Sequence, residues 1–256
     1  MKNVAAALAL WRFWLPMGLL DVRMRYRRTF GGPWWAVVGT VAIAGVVGLL
    51  YGRLFGVPAA EFVPFVATGF AGWSLIASHL AEAPNALVAR RTLVSDQHGV
   101  ALPLLLADVV RRTVMFAHAA FGVVLLAWGF GVAPGWALLL LAPNALLASA
   151  ALGAWSVVLA HLGALFRDVG EAVALALVPL MLITPVLWKP AQFGLDERWV
   201  LLNPLASLLD LLRAPLLGAA PELSSYVVAG AVLLTGLIAA TVVTRRSARM
   251  LPIWVA

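Results

Sequence analysis

Apolar residues fill this chain in six long blocks, separated by short polar connections. The blocks are Trp34 to Tyr51, Phe62 to Ala81, Thr113 to Ala133, Trp136 to Leu162, Val169 to Trp188 and Tyr226 to Thr244. Each is near the roughly 20 residues that a helix needs to cross a hydrocarbon core about 30 Å thick. The pattern predicts an all-α integral membrane protein with six transmembrane helices.

The segment before the first block has a different period. Leu8, Trp11, Leu15, Leu19, Val22 and Tyr26 recur at spacings of three or four, while Arg12, Arg23 and Arg27 lie off that stripe. This is an amphipathic helix suited to the headgroup plane, with Pro16 expected to kink or divide it and Asp21 placed to pair with Arg25. It serves either as a simple anchor or as a helix that also holds a cytoplasmic partner. The apolar stretch Val4 to Trp11 is short and Arg12 interrupts it without a cleavage site, so the segment is expected to stay in the mature protein.

Three other departures from a plain bundle stand out. Ala36, Thr40, Ala44, Gly48 and Gly52 recur every four residues in the first block, a stripe that admits close approach of another helix, in the same chain or across a dimer seam. The fifth block holds Pro179 and Pro185, which should kink or break it near its outer end; Asp168 at its start, with Glu171 three residues on, reads as a capping box. The connection 189–225 is too apolar for a free loop. Its run Leu205 to Leu217 reaches only about 20 Å as a helix and cannot cross. Asn203-Pro204 supplies an N-cap and a first-turn proline, and Asp210 is placed to pair with Arg213. Short re-entrant or interfacial helices between the fifth and sixth blocks are expected.

Charge sets the orientation. Of 18 basic residues, fourteen fall in the N-terminal segment, the second and fourth connections and the C-terminal tail; Arg53, Lys189, Arg198 and Arg213 remain for the other side. Both termini are therefore expected in the cytoplasm, with residues 1–32 a cytoplasmic amphipathic segment and 189–225 facing outward, in one transmembrane domain covering 1–256. Composition agrees: 63% of residues are hydrophobic and 11% charged, against about 25% charged in soluble domains. That excludes a water-soluble enzyme. The net charge of +7, spread between apolar blocks, fits an anionic membrane surface better than a nucleic acid.

Little catalytic chemistry is on offer. There is no cysteine and no G-x-x-x-x-G-K-[ST] phosphate loop, and the two lysines, Lys2 and Lys189, follow no such glycine pattern. His79, His98, His118 and His161 are scattered, as hydrogen-bonding or channel-lining groups rather than metal ligands. The blocks hold almost no carboxylates, which disfavours an ion-coupled carrier. Uphill transport would need energy from a partner.

Asp-Val-Arg-Met-Arg-Tyr-Arg-Arg-Thr from Asp21 to Thr29, then Gly-Gly-Pro-Trp-Trp, resembles the entry to the first span in bacterial polysaccharide-export permeases, the membrane subunits of type 2 ABC exporters. Phe-Arg-Asp-Val at Phe166 to Val169, Thr-Pro-Val-Leu-Trp at Thr184 to Trp188, Asn-Pro-Leu at Asn203 to Leu205 and the tail ending Pro-Ile-Trp-Val extend the likeness over essentially the whole chain. The resemblance implies a homodimer in the bacterial inner membrane with two cytoplasmic ATP-binding subunits, which bind ATP and Mg2+ while this chain binds no cofactor. It implies export of an O-antigen, capsule or teichoic-acid type polysaccharide, lipid-linked or modified at its reducing end. Drug or small-amphiphile efflux within the same superfamily is the alternative, and a non-transport membrane scaffold or an intramembrane enzyme stands further off.

By the same resemblance, the N-terminal helix and the connection Glu82 to Val100 contact the ATPase, with Arg23, Arg27, Arg90, Arg91, Asp96 and Gln97 as docking candidates; a solvated basic loop is the plainer reading. Arg167, Asp168 and Glu171 are candidates for a cytoplasmic cap or gate. Trp73, Trp128 and Trp155, away from the interfacial belt formed by most of the eleven tryptophans, are candidates for the sugar path with Asp210 and Arg213.

Overall fold

A computed structural model describes residues 2–32, 34–97, 99–193, 203–247 and 250–255, and all regular structure among them is helical. In chain order the α-helices are α1 (Lys2–Ala9), α2 (Trp11–Arg25), α3 (Trp34–Phe55), α4 (Ala59–Glu82), α5 (Arg91–Asp96), α6 (Ala101–Gly129), α7 (Leu141–Leu165), α8 (Val169–Ile183), α9 (Pro204–Leu216), α10 (Leu223–Ser247) and α11 (Leu251–Val255). Short 3-10 turns precede α5 and α7.

Among the described residues, five helices are long and apolar enough to cross a membrane: α3, α4, α6, α7 with its preceding turn, and α10. The fifth apolar block differs. Its helix α8 has 15 residues, about 22 Å, and ends at Ile183 before Pro185, as the proline requires. Length alone therefore gives five spans rather than six. The third block begins earlier than Thr113. Its helix α6 has 29 residues and takes in Asp108, Arg111 and Arg112, which the hydropathy pattern had left in a connection.

The N-terminal segment divides at Leu10, not at Pro16, and α2 runs on through the proline. Within the molecule it packs on Gly18 and on Val22 of the apolar stripe, while Leu8, Trp11 and Leu19 of that stripe are exposed. The small glycine face lets α2 lie along α6. In α3 the stripe of small residues is used within the chain. Ala44 is fully buried, and a Cβ on Gly48 would sit 2.9 Å from the Val63 backbone of α4. That contact supports the intrachain alternative for this stripe.

The core gathers around α4, whose Phe62, Val66, Ala67, Leu75 and Ile76 are buried among α6, α7 and α9. Helix α9, in the connection too apolar for a free loop, is deeply buried: Leu208, Leu209, Leu211 and Leu212 are at most 1% exposed, and it packs on α4, α7 and α10. A smaller apolar cluster joins the 83–100 connection to α7 and to α11 of the tail. There the chain comes so close that a side chain on Gly163 of α7 would collide with the Pro84 carbonyl. As a result the N-terminal helices, the 83–100 connection, the 166–168 turn and the tail all gather at the Glu82 end of α4.

Candidate functional site

Polar side chains concentrate at the two ends of α4. At the Glu82 end, seven ionised side chains from four segments form one network. Arg90 of the connection donates from both terminal nitrogens to Asp108 of α6, at 2.8 and 2.9 Å, and reaches Asp21 of α2 at 3.1 Å. Arg111 bridges Asp108 at 3.2 Å and Glu82 at 2.6 Å. Glu82 also receives Arg112 at 3.4 Å and Arg25 at 3.6 Å. The Asp21–Arg25 pair expected along α2 is replaced: Asp21 meets Arg90 of the connection and Arg25 meets Glu82 of α4.

Asp108 is 2% exposed, so its charge depends on these partners. The Asp108 hydrogen bonds, then Asp21, raise the Arg90 guanidinium above its ordinary pKa against the opposing pull of burial. Arg90 is thus a fixed cation. It clamps the amphipathic helix to the connection that carries α5.

The other docking candidates are outward. Arg23, Arg27, Arg91, Asp96 and Gln97 are exposed. Arg90 is the exception, because its fork is occupied within the molecule. Helix α5 presents Arg91 and Asp96 outward while Val94 is buried beneath them. Arg167, Asp168 and Glu171 are exposed beside this end, but the capping box does not form: Asp168 stands at the N-cap position of α8 without a side-chain cap bond.

At the Ala59 end the arrangement is different. Arg213 of α9 makes no ion pair with Asp210, contrary to the spacing. It donates to the Pro185 and Val186 carbonyls at 2.6 and 2.9 Å, and its guanidinium lies 4.1 Å from the Phe65 ring centre. Burial lowers its pKa to about 9, partly opposed by Asp210, which leaves it protonated at neutral pH. The carbonyls are available because the proline ends α8 and leaves the 184–188 backbone without helical partners. Gly69 makes room, since a Cβ there would strike both Arg213 and the Val186 carbonyl. Asp210 instead accepts from the Ser225 hydroxyl at 2.8 Å and the Glu222 N–H at 3.2 Å, tying α9 to the start of α10. Asn203 caps α9 by accepting from the Leu205 N–H at 3.0 Å, as its sequence suggests, and its amide also reaches Thr184.

The tryptophan candidates scatter. Trp73 is 7% exposed within the core, Trp128 is exposed, and Trp155 is half-exposed with its indole N–H bound to the Val232 carbonyl of α10. They do not converge on one surface. The described histidines each bond a carbonyl four residues back in their own helix: His79 to Leu75, His118 to Val114 and His161 to Val157. His98 lies outside the described residues. Among the described residues no cluster suited to a metal is found. An apolar cavity of about 660 Å³ is lined by residues of α1, α2, α6, α7 and α10.

Sequence comparison places this framework. The family model for the ABC-2 type transporter matches residues 20–217, from the end of α2 through α9. The chain belongs to the ABC-2 type transporter family. This permease is thus a multi-pass membrane transport subunit, and ATP hydrolysis lies on a separate ATP-binding partner. It is also similar to the O-antigen export system permease protein RfbA of Klebsiella pneumoniae, at 21% identity over 194 residues, covering 74% of each chain. The family match over residues 20–217 includes both polar ends of α4.

Proposed function

We propose that the chain is the membrane permease of an ATP-driven exporter that carries a lipid-linked cell-surface polysaccharide of the O-antigen, capsule or teichoic-acid type across the bacterial inner membrane. The observation that carries the substrate class is the likeness to an O-antigen export permease, which covers 74% of this chain. The working unit is a homodimer with two cytoplasmic ATP-binding subunits, which hold ATP and Mg2+; this chain binds no cofactor of its own. The apolar side chains that α8 leaves exposed, Leu175, Val178, Leu182 and Ile183, suit lipid or a second copy.

In this reading the Glu82 end of α4 faces the cytoplasm, in keeping with the positive-inside rule. Both termini are then cytoplasmic. Helix α8 together with 184–188 makes a sixth, broken crossing, and α9 is a re-entrant helix on the outer side. The ion network couples the partner to the spans: force on α2 or α5 passes through Arg90 to Asp108 and so to α6.

The test is deletion of the gene. Loss of surface polysaccharide, with undecaprenyl-linked polymer held inside the cell, is the expected result; normal surface glycan in a strain without a redundant exporter refutes the reading. A second reading, efflux of a small amphiphile, is favoured by the apolar cavity of about 660 Å³. Hypersensitivity of the deletion strain to amphiphilic drugs, with surface glycan unchanged, would select it.

A further inference from the structure

The ion network at the Glu82 end does not balance. Its four guanidiniums, Arg25, Arg90, Arg111 and Arg112, face three carboxylates, Asp21, Glu82 and Asp108. The surplus falls on Arg112. That side chain is 2% exposed, yet its only hydrogen bond among the described residues runs from Nε to Glu82 at a long 3.4 Å. Its two terminal NH2 groups donate to none of the described residues. These donors are not sealed in the interior, so solvent or a ligand can meet them.

Those donors border a cavity of about 170 Å³ between α2, α3, α4 and α6. Arg25, Arg111 and Arg112 line it against the single carboxylate of Glu82, and Ser74 and Ser78 of α4 add hydroxyls. The serine protons are given to the Ala71 and Leu75 carbonyls, so their oxygens offer lone pairs while the guanidiniums supply the donors. Arg25, with a side chain 54% exposed, stands at the most open part. Glu82 is the last residue of α4, so the cavity lies where a spanning helix meets the headgroups.

We propose that this cavity is a binding site for a phosphate group, with Arg112 as its principal donor and Arg25 and Arg111 completing the cradle. Three forks converging from two helices, Arg25 from α2 and Arg111 and Arg112 from α6, suit a tetrahedral anion with several acceptor oxygens, which can serve each fork separately. A planar carboxylate fits less well, and the one carboxylate present already engages all three. The group can come from a lipid headgroup or from free phosphate. The inference stands apart from the polysaccharide reading, because it rests on unmet charge and cavity shape alone.

The test uses the full chain purified in a neutral maltoside detergent. Thermal unfolding is followed with inorganic phosphate and diphosphate, each against sodium chloride at equal ionic strength, and with phosphatidylglycerol against diacylglycerol. A saturable rise in Tm with the inorganic anions identifies a site open to free phosphate. A rise with phosphatidylglycerol alone identifies a headgroup site. No response beyond the chloride and diacylglycerol controls overturns the proposal. Because Arg112→Gln can fail to fold, two other variants decide the location. Ser78→Asp places a carboxylate in the cavity and should raise the Tm without ligand while abolishing the ligand response. Arg112→Lys keeps the charge but loses the fork and should weaken binding roughly tenfold. Wild-type responses in both variants would place the anion elsewhere and sink the assignment.

Discussion

The two ends of α4 hold their cations by opposite means. At the Glu82 end, arginines meet carboxylates brought from α2, α4 and α6. At the Ala59 end, Arg213 meets backbone carbonyls and an aromatic face, with no acid bonded to it. Carboxylate pairing joins segments far apart in the chain and makes their positions interdependent. Carbonyl binding does a local job: it satisfies backbone that Pro185 has freed and so fixes where α8 stops. The first end is built to transmit displacement between elements, and the second to hold an irregular turn against a buried helix.

The sharpest way to break this contrast is Asp108→Asn. It leaves Arg90 and Arg111 facing an amide in a buried site, and loss of one partner of a buried pair costs about 3–5 kcal/mol. A large drop in Tm of the detergent-purified protein is expected, and added Arg90→Gln should recover part of it, since the two residues act as a pair. A drop no larger than that of a surface variant would mean that the network carries no structural load.

Arg213→Met tests the other end. It keeps the apolar stem over Phe65 but leaves two carbonyls without donors, at about 1–3 kcal/mol each. Hydrogen exchange should accelerate in 184–188 and α9 while the 83–100 connection stays protected. Faster exchange at both ends would show that they are one cooperative unit rather than two. Asn203→Ala removes the α9 cap and the amide contact with Thr184, for about 1 kcal/mol. Its effect should appear as fraying of the first turn of α9. The smallest change is expected from Lys189→Ala. The Lys189–Glu61 ion pair is exposed, with side chains 30% and 58% accessible, and such pairs contribute about 0–1 kcal/mol. A Tm loss as large as that of Arg213→Met would put the cation hold at Lys189 instead.

The features legible in the sequence were those decided within a few neighbouring residues. Asn203-Pro204 marked the start of α9, Pro185 marked the end of α8, and the leucines from Leu205 onward announced a buried helix. Charge partners were not legible. Asp21 and Arg25 stand one helical turn apart, as do Asp210 and Arg213, and each of these residues bonds elsewhere. The i+3 and i+4 rules rank neighbours on one helix surface and hold no information about a second helix lying across it. Boundaries failed for a related reason. Asp108, Arg111 and Arg112 lower the hydropathy of the first turns of α6, yet the helix continues because Glu82 and Arg90 neutralise much of that charge from outside.

What the sequence determined by itself is the solvent and the segmentation. Apolar blocks of bilayer length force backbone polar groups to pair internally, and helices follow from that without reference to any contact. Which arginine meets which acid, which face of α2 is covered, and where a buried cation is left with donors to spare were decided only by the tertiary structure. Those outcomes depend on distances between segments far apart in the chain, such as Asp21 and Arg90, 69 positions apart, and no local pattern encodes them.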